Sequence, residues 1–534
     1  MDSLAKKIAI IGAGCSGLAA IKCCLDEGLE PACFDKDHEI GGLWRYEAEE
    51  KDGATVYSTT VINSSKETLA FSDFPIPKDY PNFMHHTKVM DYFNLYAEKF
   101  NLRKYINLNT EVIKCCQTAD FKETGRWQLS LKNVRDGGTE TRIFDGVMVC
   151  VGHHAVPYYP LDDFPGVEKF QGDKMHSRLY RSSKPFEGKR VAIVGTGNSG
   201  CDMAVELSRN AKQVYLSTRR GAWVFNRIMD KGVPFDFLAI TRLNSWLMIN
   251  MPFIMNPLFE SILNTRFDHE KYGLKPKHRV LSQHPTINDE LPNRIANGTV
   301  ILKPNITGFT ETEVIFSDGT REQMDAVIFA TGFSFEFPFL DKCVVDTTNH
   351  ESELFRLVWP MNLERNTLAV IGLVQPLAVI GPCSELQSRW ATKVFKGELK
   401  LPSNESMKVE YDEMMTGMKK RYLDSHRHTI EVDGVSYMDS IATELSCKPD
   451  VLRLFVTDPL LAWKVLYGPF TCVQYRLTGP GKWKDARKII MAHWDRMWFP
   501  LSGKEKRQSR PFWMNMLIIA FLICVIAWIV FKVV

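Results

Sequence analysis

The chain contains no Cys-x-x-Cys, no His-Glu-x-x-His, no low-complexity segment and no large excess of charge of either sign. Each absence removes a class of function. Without Cys-x-x-Cys there is no redox pair for disulfide reduction, and the 13 scattered histidines leave no metal centre to expect. With 66 basic against 63 acidic residues, and no Lys/Arg-rich helix or zinc-finger spacing, no nucleic-acid partner is expected. No Ser/His/Asp set stands out, and His153-His154 and His85-His86 read as structural. Thirteen cysteines is an odd number, and the adjacent pairs Cys23-Cys24 and Cys115-Cys116 have poor geometry for disulfides. A reduced, cytosol-facing chain follows. The apolar run at Ile8 comes too early to leave room for a signal peptide, so the Asn-x-Ser/Thr patterns at Asn63, Asn297, Asn305 and Asn404 read as chance matches.

What the chain does have is the same glycine fingerprint twice. Gly12-Ala13-Gly14-Cys15-Ser16-Gly17 follows the apolar run Ile8-Ala9-Ile10-Ile11, and Gly195-Thr196-Gly197-Asn198-Ser199-Gly200 follows Val191-Ala192-Ile193-Val194. Each reads as a buried strand turning sharply into a helix whose free amides and positive dipole end receive a pyrophosphate. Two such sites imply two dinucleotides and electrons passing between them. The strands that follow set them apart. Glu30–Phe34 ends at Asp35, 23 positions after Gly12, where a carboxylate binds ribose hydroxyls and repels a 2′-phosphate, as suits FAD or NAD. Val214–Ser217 ends in Thr218-Arg219-Arg220, and arginine pairs with a 2′-phosphate, as suits NADP.

The expected fold class is α/β, with two Rossmann-like dinucleotide-binding domains. The first is discontinuous, over 1–154 and 331–445, and the second is inserted into it, over 155–220 and 296–330. Residues 221–295 form an insertion; its apolar stretch Leu238–Ile262, broken by Pro252 and Pro257, reads equally as a core helix pair or as an amphipathic insertion that lines a substrate route or touches the membrane surface. Residues 384–396 are expected as a helix, Gln375-Pro376-Leu377 as a turn, and 446–510 as a helical cap. The stretch 511–531 is uncharged and spans about 30 Å as a helix, enough to cross a bilayer. Lys504, Lys506, Arg507 and Arg510 precede it and only Lys532 follows, so the globular part faces the cytosol. This predicts a C-terminal transmembrane tail anchor in the endoplasmic reticulum membrane, with membrane lipid as a partner.

Between the two fingerprints, Phe170-Gln171-Gly172 through His176 to Tyr180 fits F-x-G-x-x-x-H-x-x-x-Y. With Gly41-Gly42-Leu43-Trp44-Arg45, Ser217 to Trp223, and Ala330-Thr331-Gly332-Phe333, it resembles the flavin-containing monooxygenases, in their vertebrate microsomal form. Tyr180, where related Baeyer–Villiger enzymes usually carry tryptophan, points to the nitrogen- and sulfur-oxidising branch. The resemblance implies FAD on Gly12, Gly14, Cys15, Ser16, Gly17, Asp35, Gly42, Leu43, Trp44 and Gln375. It implies NADPH on Gly195, Gly197, Asn198, Ser199, Gly200, Thr218 and Arg219. Asn63 is implied beside the flavin as the catalytic residue, donating to a hydroperoxide at flavin carbon 4a and accepting from NADP, while His176 positions the link between domains. The implied reaction is the NADPH- and O2-dependent oxygenation of small lipophilic xenobiotics at soft nitrogen or sulfur. Baeyer–Villiger oxidation and an NADPH oxidase releasing hydrogen peroxide are the alternatives, and a homo-oligomer is left open. Asp35 stands where many relatives have glutamate, Phe333 where tyrosine is common and Ala378 where glycine is common. The first keeps the charge, and the other two bear on substrate scope.

Overall fold

The computed structural model describes residues 5–49, 53–154, 156–347, 352–377, 379–422 and 429–502. Its two parallel sheets use ten strands: β1 (Lys7–Ile11), β2 (Glu30–Phe34), β3 (Ile106–Asn107), β4 (Gly146–Val149), β5 (Asp173–His176), β6 (Arg190–Val194), β7 (Gln213–Ser217), β8 (Val300–Lys303), β9 (Ala326–Phe329) and β10 (Leu368–Val370). Parallel strands covered on both faces need consecutive apolar side chains. Ile8, Ala9 and Ile10 of β1 and Val191, Ala192 and Ile193 of β6 supply them and are fully buried.

The first sheet runs β10-β4-β1-β2-β3 and the second β8-β7-β6-β9-β5, with every neighbouring pair parallel. The chain leaves the first sheet after β4 and returns to it at β10, with the whole second sheet built in between. The duplication goes further than the fingerprints. A three-stranded antiparallel sheet (Thr110–Gln117, Trp127–Asn133, Thr139–Phe144) precedes β4, and another (Ile306–Phe309, Glu313–Phe316, Arg321–Gln323) precedes β9.

Helices α1 (Cys15–Asp26) and α2 (Asn198–Leu207) follow β1 and β6. The insertion forms α3 (Phe235–Ala239), α4 (Arg242–Asn250) and α5 (Pro252–Arg266). Pro252, whose missing N–H costs nothing at a helix start, opens α5 and separates it from α4. Met255, Phe259 and Leu263 of α5 pack with Trp223, Phe225 and Val280, so the insertion has an apolar core of its own. Trp246, Phe253 and Leu258 stay exposed on its outside.

Helix α6 (Ile380–Lys396) starts four residues before the expected position and packs along α1. Gln375–Pro376 is a short strand paired in parallel with Glu431–Val432, not a free turn, because the Gln375 and Leu377 amides donate to the Ile430 and Val432 carbonyls. Helix α7 (Ala486–Ser502) closes the described chain. A buried ionic cluster ties the C-terminal region to the first sheet. Glu385 on α6 accepts from Ser72 N (2.7 Å), Ser72 Oγ (2.6 Å) and Arg476 (2.8 Å), and Lys22 on α1 pairs with Asp73 at 2.5 Å. Burial pushes the Glu385 carboxyl up, but Arg476 and Lys22 outweigh it and hold it below the usual carboxylate value. Among the described residues no helix is long and apolar enough to cross a membrane; the expected span 511–531 and Ala378 lie outside the described residues.

Candidate active site

The two fingerprints build the same turn. Gly12 has φ +103° and Gly195 φ +111°, a region that side chains disfavour. A Cβ on Gly17 would lie 1.9 Å from the Gly12 carbonyl oxygen, and one on Gly200 would lie 2.0 Å from that of Gly195. These glycines let helix meet strand. Gly14 and Gly197 do something else: a Cβ on Gly197 meets nothing within 4 Å, and one on Gly14 would meet only the Gly42 backbone, at 3.7 Å. Each therefore leaves the first turn of its helix bare, the cradle a pyrophosphate needs. Gly42, Leu43 and Trp44 form a short 3-10 turn held to the first cradle by the Gly41 amide on the Ala13 carbonyl at 3.1 Å. Ser199 lies exposed at the second cradle.

Not every fingerprint side chain faces a cradle. Ser16 is buried and shares a hydrogen bond with Ser384 of α6 at 2.9 Å, while burial pushes the Cys15 thiol up to about 12. Asn198 fastens the 285–287 segment: its Oδ1 accepts from the Ile287 amide at 2.7 Å and its Nδ2 donates to the Pro285 carbonyl at 3.4 Å.

The charge contrast between the two second strands holds in space. Asp35 Oδ2 accepts from the Ala13 amide at 2.6 Å and Oδ1 from the Asp37 amide at 2.9 Å, which seats a carboxylate against the first cradle. Burial raises its pKa, against those two amide bonds. At the second cradle, Thr218 Oγ1 bonds Thr196 of the fingerprint at 3.2 Å and the Gly221 amide at 3.0 Å. Arg219 and Arg220 beyond it are exposed. Both cradles thus fit the groups expected, an adenosine with free ribose hydroxyls at the first and one with a 2′-phosphate at the second.

Where the start of α2, the insertion and the 376–382 and 433–438 segments meet lies a mainly apolar cavity of about 160 Å³, lined by Asn63, Asn198, Phe259, His284, Pro376 and Met438 among others. Gln375 itself is half-buried beside it, in the strand that carries Pro376. The segment 57–63 crosses from the 84–86 segment to α2. Tyr57 Oη donates to Asp202 (2.6 Å) and Thr59 Oγ1 to Glu206 (2.6 Å). Asn63 ends the crossing. Arg227 Nη2 donates to its Oδ1 at 2.7 Å, while Arg227 Nη1 pairs with Asp289 at 2.7 Å. Guanidinium has no acceptor, so the amide atom facing it is the oxygen and the NH2 group faces the other way. Arg227 takes one of the two lone pairs of that oxygen, which leaves one acceptor position and the NH2 donor of Asn63 open.

The motif from Phe170 to Tyr180 forms edge strand β5 and its flanks. Phe170, His176 and Tyr180 are all about 2% exposed. His176 Nε2 lies 2.9 Å from the Gly332 carbonyl and its Nδ1 accepts from the Arg178 amide at 3.1 Å. Its ring meets Phe333 edge-on at 5.2 Å, and His154 meets the same phenyl at 5.3 Å. Burial lowers the His154 pKa to about 4, so that imidazole is uncharged near neutrality. Among the described residues no group of three His, Cys, Asp or Glu side chains is placed to hold a metal.

Two residues, Asp236 at the cavity and Arg227 behind Asn63, are not singled out by the sequence alone. Arg227 sits in no recognisable pattern, and only the fold brings it to Asn63. Asp236 did leave a signal, a single acid in the apolar run Val233-Pro234-Phe235-Asp236-Phe237-Leu238.

A family model described as FMO-like, flavin-binding monooxygenase-like, matches residues 5–534. Similar curated proteins include flavin-containing monooxygenase 5 of Rattus norvegicus, 53% identical over 499 residues and covering 93% of each chain. Another is flavin-containing monooxygenase 3 of Homo sapiens, 47% identical over 504 residues and covering 94% of each. Among solved structures, S-allyl-L-cysteine S-oxygenase from Allium sativum matches with a TM-score of 0.63 at 23% identity, over 86% of this chain and 93% of that one. Cyclohexanone monooxygenase from Rhodococcus sp. Phi1 bound to NADP+ matches with 0.61 at 15% identity, over 83% and 98%. At those identities the structures speak for the fold, an α/β flavin-monooxygenase architecture with Rossmann-like parts.

Proposed function

Because the chain belongs to the flavin-containing monooxygenase family, we propose that it oxygenates soft nucleophilic nitrogen or sulfur centres of small lipophilic compounds. It is a flavin-dependent monooxygenase with FAD and NADPH as cofactors. Bound flavin, reduced by NADPH, supplies the activated oxygen. The chain binds, orients and excludes water.

Gly12, Gly14 and Gly17, with Asp35 and the turn Gly42-Leu43-Trp44, would hold FAD within a domain of residues 1–154 and 331–445. Gly195, Gly197, Ser199, Gly200, Thr218 and Arg219 would hold NADPH within 155–220 and 296–330. The insertion 221–295 roofs the cavity with Phe225, Phe235 and Phe259, an apolar wall that suits lipophilic substrates and keeps water out. The observation that carries the reading is Asn63 at the cavity, with its amide turned by Arg227 so that a hydrogen-bond donor faces away from the guanidinium. An amide donor stabilises negative oxygen without giving up its proton. The exposed Trp246, Phe253 and Leu258 of the insertion, Leu501 at the end of α7 and the apolar stretch 511–531 support a tail anchor in the endoplasmic reticulum membrane, where such substrates collect.

Purified protein given NADPH and oxygen, with a tertiary amine, a thioether and a ketone in separate reactions, tests this by product analysis. N-oxide and S-oxide are expected, with NADH a poor substitute. Ester from the ketone alone would favour Baeyer–Villiger oxidation, and hydrogen peroxide with every substrate would favour an oxidase.

A further inference from the structure

The first domain holds the two ends of the stretch that carries Asn63. The Ile62 amide donates to the Met84 carbonyl at 2.9 Å and the Lys66 amide to the Asn82 carbonyl at 2.8 Å. The bend between them is held from the insertion, at two points. Arg227 takes the Asn63 amide oxygen, and its Nη2 and Nε also reach the Val61 and Ile62 carbonyls, each at 3.4 Å. Two residues beyond Asn63, Asp236 Oδ2 accepts from the Ser65 amide at 2.7 Å and from Ser65 Oγ at 2.8 Å. Thr68 Oγ1 lies 2.7 Å from the same oxygen and 2.9 Å from the Ser65 carbonyl. Ser65 opens the helical turn Lys66–Leu69, yet its hydroxyl turns to Asp236 and does not cap that turn.

Arg227 and Asp236 stand at the base of one hairpin. The Phe235 amide donates to the Arg227 carbonyl and the Met229 amide to the Val233 carbonyl, both at 2.8 Å, which closes the loop between them. Val233 and Phe237 brace it against Met497 of α7, with Trp494 and Trp498 alongside. Asp236 is 6% exposed, and no cation among the described residues pairs with it. Lys66 gives its ammonium to the Lys78 and Tyr80 carbonyls, and Glu67 has Arg496. A buried carboxylate without a counter-ion is costly unless hydrogen bonds hold its charge. Apart from the adjoining Phe237 amide, the groups that do so all belong to the segment that carries Asn63.

We propose that Asp236 is a positioning residue for Asn63: it sets where the main chain of residues 63–65 lies, as Arg227 sets which way the Asn63 amide faces. The proposal rests on the reading of Asn63 as the donor beside flavin. The hairpin that supplies Phe235 to the cavity wall thus also supplies both side chains that fix the amide. A displacement of the bend by about 1 Å is enough to spoil a hydrogen bond in the reacting geometry, and it leaves both dinucleotide cradles untouched.

Asp236→Asn tests this. Its NH2 must face either the Ser65 amide or the Phe237 amide, both of them donors, so the hold on the bend is weakened whichever way it turns. In flavin-loaded protein without NADPH, hydrogen exchange of a peptide spanning residues 61–69 should quicken roughly tenfold, with peptides of the two glycine fingerprints within about twofold of native. With NADPH and benzyl methyl sulfide, sulfoxide formed per NADPH consumed should fall about threefold while flavin reduction by NADPH keeps its rate. In an Asn63→Ala background, Asp236→Asn should lower that ratio no further. Native exchange, native coupling, or a full further loss in the double variant overturns the proposal. If Asp236→Asn does not hold flavin, Ser65→Ala, which removes one of the bonds and keeps the main-chain amide, decides by the same two readouts: both shift in the same directions, or the proposal falls. Native coupling in Asn63→Ala, or no sulfoxide from native enzyme, overturns the reading of the site, whereas native exchange in Asp236→Asn overturns the positioning role alone.

Discussion

Replacing Arg227 with methionine tests the Asn63 assignment without touching Asn63. The guanidinium, 13% exposed in its side chain, gives a charge-assisted hydrogen bond to the amide oxygen and an ion pair to Asp289. A bond of that kind contributes ~1.5–3 kcal/mol, which biases the amide orientation by a factor of roughly 10 to 150. The Asn terminal torsion is close to two-fold, so without the bias about half the molecules present oxygen where the NH2 stood. Product formed per NADPH consumed should then fall toward about half, with hydrogen peroxide making up the difference. Asp289, 38% exposed in its side chain, keeps the main-chain amide of residue 227 at 2.9 Å and meets water otherwise, so the fold should survive; flavin content per chain checks this. Arg227→Lys, which keeps charge but reaches one partner at a time, should recover part of the coupling. Adding Asn63→Ala to Arg227→Met should do no more than Asn63→Ala alone, since the arginine acts through the amide. Full coupling in Arg227→Met, or additive losses in the double variant, would refute the reasoning.

Other outcomes follow from the same geometry. Arg219→Ala should raise KM for NADPH about tenfold and leave that for NADH unchanged, as expected for loss of a charge-assisted phosphate contact. Steady-state kinetics with both nucleotides checks it, and equal losses would show that the arginine meets no 2′-phosphate. Gly17→Ala puts a Cβ 1.9 Å from the Gly12 carbonyl oxygen and should yield flavin-free protein, whereas Gly200→Ala, 2.0 Å from the Gly195 carbonyl oxygen, should keep its flavin and lose NADPH. Flavin absorbance and nucleotide titration separate the two. Burial, with Arg496 and Lys464 nearby, lowers the His493 pKa to about 3. Below the ordinary 6.5 the unfolded chain therefore binds a proton that the folded one refuses, so stability falls from pH 6.5 downward, by up to about 1.4 kcal/mol per pH unit for this group. His493→Gln should flatten the fall in melting temperature between pH 6.5 and 4.5.

What could be read from sequence was what the backbone enforces locally. Gly12, Gly17, Gly195 and Gly200 are needed within a few residues of the contacts they permit, so the turns, the buried strands and the contrast of Asp35 with Arg219 stand in plain order along the chain. The repeated antiparallel sheets ahead of β4 and β9 stayed hidden, because alternating strands share only a loose pattern and no fixed residues. Side-chain direction was also hidden. Ser16 and Asn198 lie inside a dinucleotide fingerprint, yet one bonds α6 and the other a distant loop, contacts that only tertiary packing decides. Arg227 meets Asn63 across 164 positions of sequence, where no local rule reaches. The insertion was legible as apolar and proline-broken, but which of its faces roofed the cavity was not.

The crossing at residues 57–63 acts as a rivet. On one side, the Ile62 amide donates to the Met84 carbonyl at 2.9 Å and the His86 amide to the Thr60 carbonyl at 3.0 Å. On the other, Tyr57, Thr59 and Asn63 are bonded to Asp202, Glu206 and Arg227. Swinging the second domain against the first would have to break the Tyr57, Thr59 and Asn63 bonds together. The crossing therefore resists a change in the span between the two dinucleotide cradles.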